Sequence, residues 1–146
     1  CENGYGLAVS VKWPNDILCG GLKVAGILCE SDHRFVYCGV GINLNQKEFP
    51  ADLRAVSVRT LTGKEVPPPA FLACFLNRLE WSLRCVEWRT LLYERLHGKG
   101  QPAEVSLPGK ADLVRGTISA IAENGALVLE NGSGRVEVVA GEVKVV

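Results

Sequence analysis

The sequence predicts an α/β chain of the α+β type: a mixed or antiparallel sheet with packed helices, followed by a small β-barrel. Three patterns predict it. The first third alternates short apolar runs with turn residues, as a strand meander does. From Ala70 to about Trp88, the apolar residues Phe71, Leu72, Phe75, Leu79, Leu83 and Val86 recur at helical spacing. Beyond Gly98 the chain turns to short β-rich runs broken by glycine turns, with no helical pattern.

Leu7, Val9 and Val11 alternate with Ala8, Ser10 and Lys12, the pattern of a half-buried strand. Trp13-Pro14-Asn15-Asp16 interrupts it with turn chemistry. Ile17–Cys19 and Leu22–Cys29 follow as strands, joined by Gly20-Gly21, a two-residue hairpin turn. Ser31-Asp32-His33-Arg34 makes a second turn into a strand over Phe35–Asn45. Residues 46–69 have no clear period, and Pro67-Pro68-Pro69 leads into the helical stripe, which is expected to be core. A short helix is expected over Arg89–His97, and Gly98-Lys99-Gly100-Gln101-Pro102 reads as a boundary, giving domains 1–98 and 99–146. In the tail, strands are expected over Ala103–Leu107, Ala111–Ala122, Gly125–Glu130 and Arg135–Val139.

The chain has 146 residues, enough for one ordinary domain or two small ones, and 47% of them are apolar, enough for a real core. Lys plus Arg equal Asp plus Glu at 16 each, so no basic field argues for nucleic acid. No apolar run is long enough to span a bilayer and no signal-peptide layout opens the chain, so the expectation is a cytoplasmic protein without a membrane partner. The chain opens on Cys1 and contains no Met, so the expectation is the cut or incomplete end of a longer protein. Six cysteines without a C-x-x-C pair read as free, buried thiols in a reducing compartment. Cys29, His33 and Cys38 lack a second ligand pair, so no metal site is expected there.

Period two places Val36, Cys38, Val40, Ile42 and Leu44 on one face, toward a core, and Gly39, Gly41, Asn43 and Asn45 on the other. That second face offers bare backbone followed by two amides, against which a flat polar ligand could lie. Bulges and strand ends use the same residue types. Lys12 and Asp16 flank a stiff turn that can fix polar groups, or form a surface ion pair. Lys23 enters a strand beside Ala25-Gly26, where a ligand has room, and its ammonium suits a carboxylate or phosphate. Lys23 and Gly26 have opposite strand parity, so a bulge or a rim contact is required to bring them together. No Walker loop, nucleophile elbow or dinucleotide fingerprint is present.

Lys12-Trp13-Pro14-Asn15-Asp16, then Lys23-Val24-Ala25-Gly26-Ile27-Leu28-Cys29-Glu30, then Gly39-Val40-Gly41-Ile42-Asn43-Leu44-Asn45 closely resemble, in order and spacing, the biotin protein ligases, or biotin–[acetyl-CoA-carboxylase] ligases. The tail, notably Gly116 to Leu129 and Gly141-Glu142-Val143, resembles the family's SH3-like barrel. The resemblance implies that residues 1–98 are the C-terminal half of a biotin/lipoate ligase catalytic domain and 99–146 an SH3-like domain. It implies ATP and magnesium (Mg2+) as cofactors, biotin as substrate, biotinyl-5′-AMP as intermediate, and transfer to a lysine of the biotin carboxyl carrier protein of acetyl-CoA carboxylase. Carried over by motif, Lys23 contacts the reacting carboxylate and phosphate. Lys12, Asn15 and Asp16 line the nucleotide side, Asp16 being the candidate for magnesium. Gly26 lets biotin approach, and Asn43 reads the adenine edge.

Two departures accompany the resemblance. Nothing like the family's Gly-Arg-Gly-Arg-x-Gly-Arg loop precedes Lys12, so the chain alone is expected to be inactive or nearly so. The end reads Lys144-Val145-Val146, where the family often places an arginine. No winged helix is present, so no DNA partner is expected. The alternatives are a non-catalytic module for carrier docking or homodimer formation through an exposed sheet edge, or a lipoate ligase-like protein.

Overall fold

The structure, a computed structural model, describes residues 5–109 and 111–146. The strands are β1 (Val9–Lys12), β2 (Asp16–Cys19), β3 (Leu22–Ser31), β4 (Val36–Ile42), β5 (Pro102–Ser106), β6 (Leu113–Ile121), β7 (Leu127–Asn131), β8 (Gly134–Val138) and β9 (Glu142–Val145). Between β4 and β5 lie the helices α1 (Val58–Thr62), α2 (Pro68–Ser82) and α3 (Trp88–Glu94). Antiparallel pairing links β2 through β4 and β5 through β9, so the expected α+β character is what the chain forms. One sheet has the order β1-β2-β3-β4 and the other β8-β7-β6-β5-β9. The chain divides into two units, Cys1–Val9 with Asn15–Val86, and Ser10–Pro14 with Glu87–Val146.

In the first unit, Gly20 and Gly21 take φ of 58° and 77°, the doubly left-handed turn that lets β2 fold directly back as β3. The β2–β3 register then slips. Ile17 faces Ala25 but Leu18 faces Lys23, leaving Val24 as an extra residue on β3. At the next turn, Asp32 Oδ1 accepts the N–H groups of Arg34 and Phe35, each at 2.7 Å. Those two bonds hold the Asp32 carboxyl below its ordinary range.

The segment without sequence period, 46–69, is built by side chain to backbone bonds. Asn45 accepts from the Val66 N–H at 2.8 Å and donates to the Val66 carbonyl at 2.7 Å. Residues 54–56 run beside the start of β3, with the Lys23 N–H on the Arg54 carbonyl and the Val56 N–H on the Lys23 carbonyl. Ser57, fully buried, caps α1 by accepting from the Thr60 N–H at 3.1 Å, and donates to the Gln46 carbonyl at 2.6 Å. Gly63, at φ 70°, ends the helix. Ser57→Ala removes the cap and leaves the Gln46 carbonyl without this donor. It is expected to lower the unit's stability by about 1–2 kcal/mol, read from the denaturant midpoint. Around Val56, Val58 and Val66 packs the unit's core, with Cys19, Val24 and Ala25 from the sheet.

Three expectations about burial are corrected here. Ile42 and Leu44 do pack on this core, but Val36 is 72% exposed and Cys38 is exposed. The core cluster takes in Val24, Ala25, Ile42 and Leu44 from this part of the chain but not Val36 or Cys38, and periodicity says which face is apolar, not how far it is covered. The stripe of α2 contains no buried residue, and the helix ends at Ser82, so Leu83 and Val86 lie beyond it, Val86 at 92% exposure. Of the cysteines, Cys19 is buried, whereas Cys29, Cys38 and Cys74 are exposed; Cys1 lies outside the described residues.

In the second unit, Trp13 is 6% exposed and packs with Leu96, Val105, Ile118, Leu127 and Leu129. Its indole N–H donates to the Gly125 carbonyl at 3.0 Å. Val11 holds this stretch in place through its N–H to the Arg95 carbonyl and its carbonyl to the His97 N–H, each at 2.8 Å. The five strands include β9, which the sequence runs did not single out, and no β8–β9 ladder is formed among the described residues. Gly116 runs so close to β7 that a Cβ there would lie 2.8 Å from the Glu130 carbonyl oxygen. No helix among the described residues is long and apolar enough to cross a membrane.

Candidate functional site

The extra residue at Val24 settles the parity problem posed by Lys23 and Gly26. Counted along an unbroken strand, their side-chain directions oppose; with the bulge between them they share a side. A Cβ at Gly26 would lie 3.3 Å from both Cε and Nζ of Lys23 and 3.5 Å from Asp16 Oδ1. The lysine therefore lies directly over the bare backbone of Gly26. Asp16 is the cross-strand partner of Gly26 and completes the cluster from β2.

Lys23 Nζ stands 2.6 Å from Asp16 Oδ1, with the side chains 46% and 22% exposed. The oxygen is buried and accepts no aligned hydrogen bond among the described residues. Distance makes this an ion pair, while the donor geometry leaves the oxygen's hydrogen-bonding capacity unused. Together the three residues present an accessible cation, a carboxylate with spare acceptor capacity, and a glycine slot beside both. Such a set can hold an anion against the backbone and stabilise charge that develops on it.

Asn43 follows β4 and is tied to the same strand. Its N–H bonds the Val24 carbonyl at 2.9 Å, and its side-chain Nδ2 donates to the carbonyls of Lys23 and Val56, both at 3.3 Å. Its amide donor thus serves the scaffold, which leaves Oδ1 for a ligand. Asn45, expected on the same open face, is instead spent on Val66. Asn15 is exposed, with its carbonyl accepting the Ile27 N–H at 2.8 Å. Lys12 belongs to the second unit, where its Nζ lies 3.4 Å from Glu142 Oε1. The structure therefore brings Asp16, Lys23, Gly26 and Asn43 together within the first unit. Two contributors escaped the sequence reading: Val24, whose bulge has no compositional mark, and Glu142, whose partner is 130 residues away.

Residues 2–45 match the biotin/lipoate A/B protein ligase family, and residues 103–146 match the biotin protein ligase C-terminal domain. A biotin–[acetyl-CoA-carboxylase] ligase of Mycobacterium tuberculosis is 37% identical over 140 residues, covering 91% of this chain and 52% of its own length. The chain thus spans about half the length of that relative. The apo structure of biotin protein ligase from Aquifex aeolicus matches 99% of this chain and 68% of its own, with a TM-score of 0.87 at 27% identity. The same ligase in complex with biotin and ATP matches with a TM-score of 0.84 at 25% identity, covering 98% of this chain and 64% of its own. Three ordered motifs, a match at each end and a shared fold agree: the chain belongs to the biotin protein ligase family.

Proposed function

We propose that this chain supplies the Lys23 side of the active site of a biotin–[acetyl-CoA-carboxylase] ligase. The observation that carries the reading is the bulge at Val24, which sets the Lys23 ammonium over Gly26 and beside Asp16. In the first step an oxygen of biotin's carboxylate bonds to the α-phosphorus of ATP and the bond to pyrophosphate breaks. Negative charge gathers on the phosphoryl oxygens, and Lys23 is the cation placed to meet it. In the second step the amine of a carrier-protein lysine attacks the acyl carbon, and AMP leaves with the electron pair of the anhydride bond. Its developing charge falls at the same position, so one ammonium serves both steps.

Gly26 admits biotin to the strand, and Asn43 Oδ1 is left to accept from the adenine amino group. Asn15 and Lys12 are the further residues proposed for the nucleotide side. Asp16 would hold magnesium. A single carboxylate fits an ion that arrives with substrate phosphates, and Asp16 Oδ1 has an unused acceptor position. Magnesium, when bound, would neutralise phosphate charge. Incoming anions compete with Asp16 for Lys23, which frees the carboxylate for that role.

The test is biotin-dependent pyrophosphate release from ATP by the natural protein, followed by mass gain of one biotinyl group on a carrier domain. Residues 1–146 contain no Gly-Arg-Gly-Arg-x-Gly-Arg loop, so the 146-residue chain assayed alone is expected to show little or no release. Full turnover by the chain alone would overturn that expectation, and no biotin dependence in the natural protein would overturn the function.

A further inference from the structure

Cys29 and Cys38 are Cα partners on β3 and β4, and their sulfurs lie 3.5 Å apart. The ladder's hydrogen bonds fix what kind of pair they form. The Asn43 N–H bonds the Val24 carbonyl at one end, and the Asp32 N–H bonds the Phe35 carbonyl at the other. Alternation along an antiparallel ladder then puts Cys29 and Cys38 at a non-hydrogen-bonded position, where facing Cα atoms approach to about 4.5 Å. That separation lies inside the window of about 4.4–6.8 Å that a disulfide spans. Both thiols are exposed, and the flanking pairs, Ile27 with Val40 and Ser31 with Val36, carry no charge. The contact with Cys38 also pushes the Cys29 thiol above its ordinary range.

From this geometry we propose that Cys29 and Cys38 are a reversible modification site, a cross-strand dithiol that closes to a disulfide by exchange with a small-molecule disulfide. One cysteine thiolate attacks a sulfur of the reagent, forming a mixed disulfide and releasing one thiolate. The second cysteine thiolate then attacks the protein sulfur of that mixed disulfide and releases the other. The two thiol protons pass to the two leaving thiolates. The dithiol is oxidised by two electrons, and the reagent is reduced to two thiols. Closure needs the sulfurs to move from 3.5 Å to the bonding distance of about 2.0 Å by side-chain rotation, with the ladder already in register.

The experiment equilibrates the reduced 146-residue chain with glutathione disulfide, quenches with an alkylating agent and maps the peptides by mass. The expected product is a Cys29–Cys38 linked peptide. Because the second thiol is already at high local concentration, mixed disulfide at Cys29 or Cys38 is expected to be at least about tenfold scarcer than in Cys38→Ser. The Cys38→Ser chain, checked for retained near-UV circular dichroism, is expected to stop at a stable mixed disulfide on Cys29. Wild-type chain that accumulates as much mixed disulfide as the variant, or that links other cysteines instead, overturns the proposal.

Discussion

Lys23→Ala is expected to slow biotin-dependent pyrophosphate release by about 10²–10³-fold while leaving the protein folded, since removing one preorganised charge donor from a reacting centre costs that order of rate. Stability should hardly change. The Lys23–Asp16 pair is partly exposed on both sides, and such pairs contribute less than about 1 kcal/mol. Steady-state kinetics on the natural protein separate two roles for the lysine. A fall in kcat and kcat/KM together means that Lys23 acts on the transition state. A rise in KM for ATP at unchanged kcat means that it only holds the nucleotide, which contradicts the proposed role.

Trp13→Ala is expected to destabilise the second unit by about 3–5 kcal/mol, as removal of a buried aromatic from a core does. Trp13 sits inside the motif Lys12-Trp13-Pro14-Asn15-Asp16, so its loss will resemble loss of a substrate contact in any activity screen. The structure gives it another task. Its ring fills the core of the second unit among Leu96, Ile118 and Leu127, and its N–H satisfies the Gly125 carbonyl. Trp13→Phe keeps most of the ring burial and is expected to cost less, with about 1 kcal/mol assigned to the lost hydrogen bond. Urea unfolding of the 146-residue chain measures both, and a loss below about 1 kcal/mol for Trp13→Ala would contradict the packing described.

Local chemistry made the β2–β3 hairpin legible, because only a pair like Gly20-Gly21 accepts two successive positive φ values without strain. The β3–β4 register was not readable in the same way. The sequence placed that turn at Ser31-Asp32-His33-Arg34, whereas the Asp32 N–H on the Phe35 carbonyl closes it over Asp32 to Phe35, one position later, so that Cys29 meets Cys38. The cysteines were read singly, as buried thiols. The juxtaposition of Lys23 with Gly26 was legible only as a requirement. A bulge depends on how two strands and residues 54–56 fit together, and Val24 carries no sign of it. Residues 46–69 were opaque because Asn45 and Ser57, rather than an apolar period, hold them. Strand periodicity gave the face of Asn43 but not its bonds, and its amide nitrogen supports the backbone at the Lys23 and Val56 carbonyls.

Calorimetric titration of biotinyl-5′-AMP, or a stable analogue, into the natural protein and its Lys23→Ala variant tests most directly whether Lys23 meets the activated carboxylate and phosphate. The predicted result is tight binding by the parent and a loss of affinity of about 100-fold in the variant, or roughly 2.7 kcal/mol. Equal affinities in two folded proteins would contradict it, and would return Lys23 and Asp16 to the status of a surface ion pair.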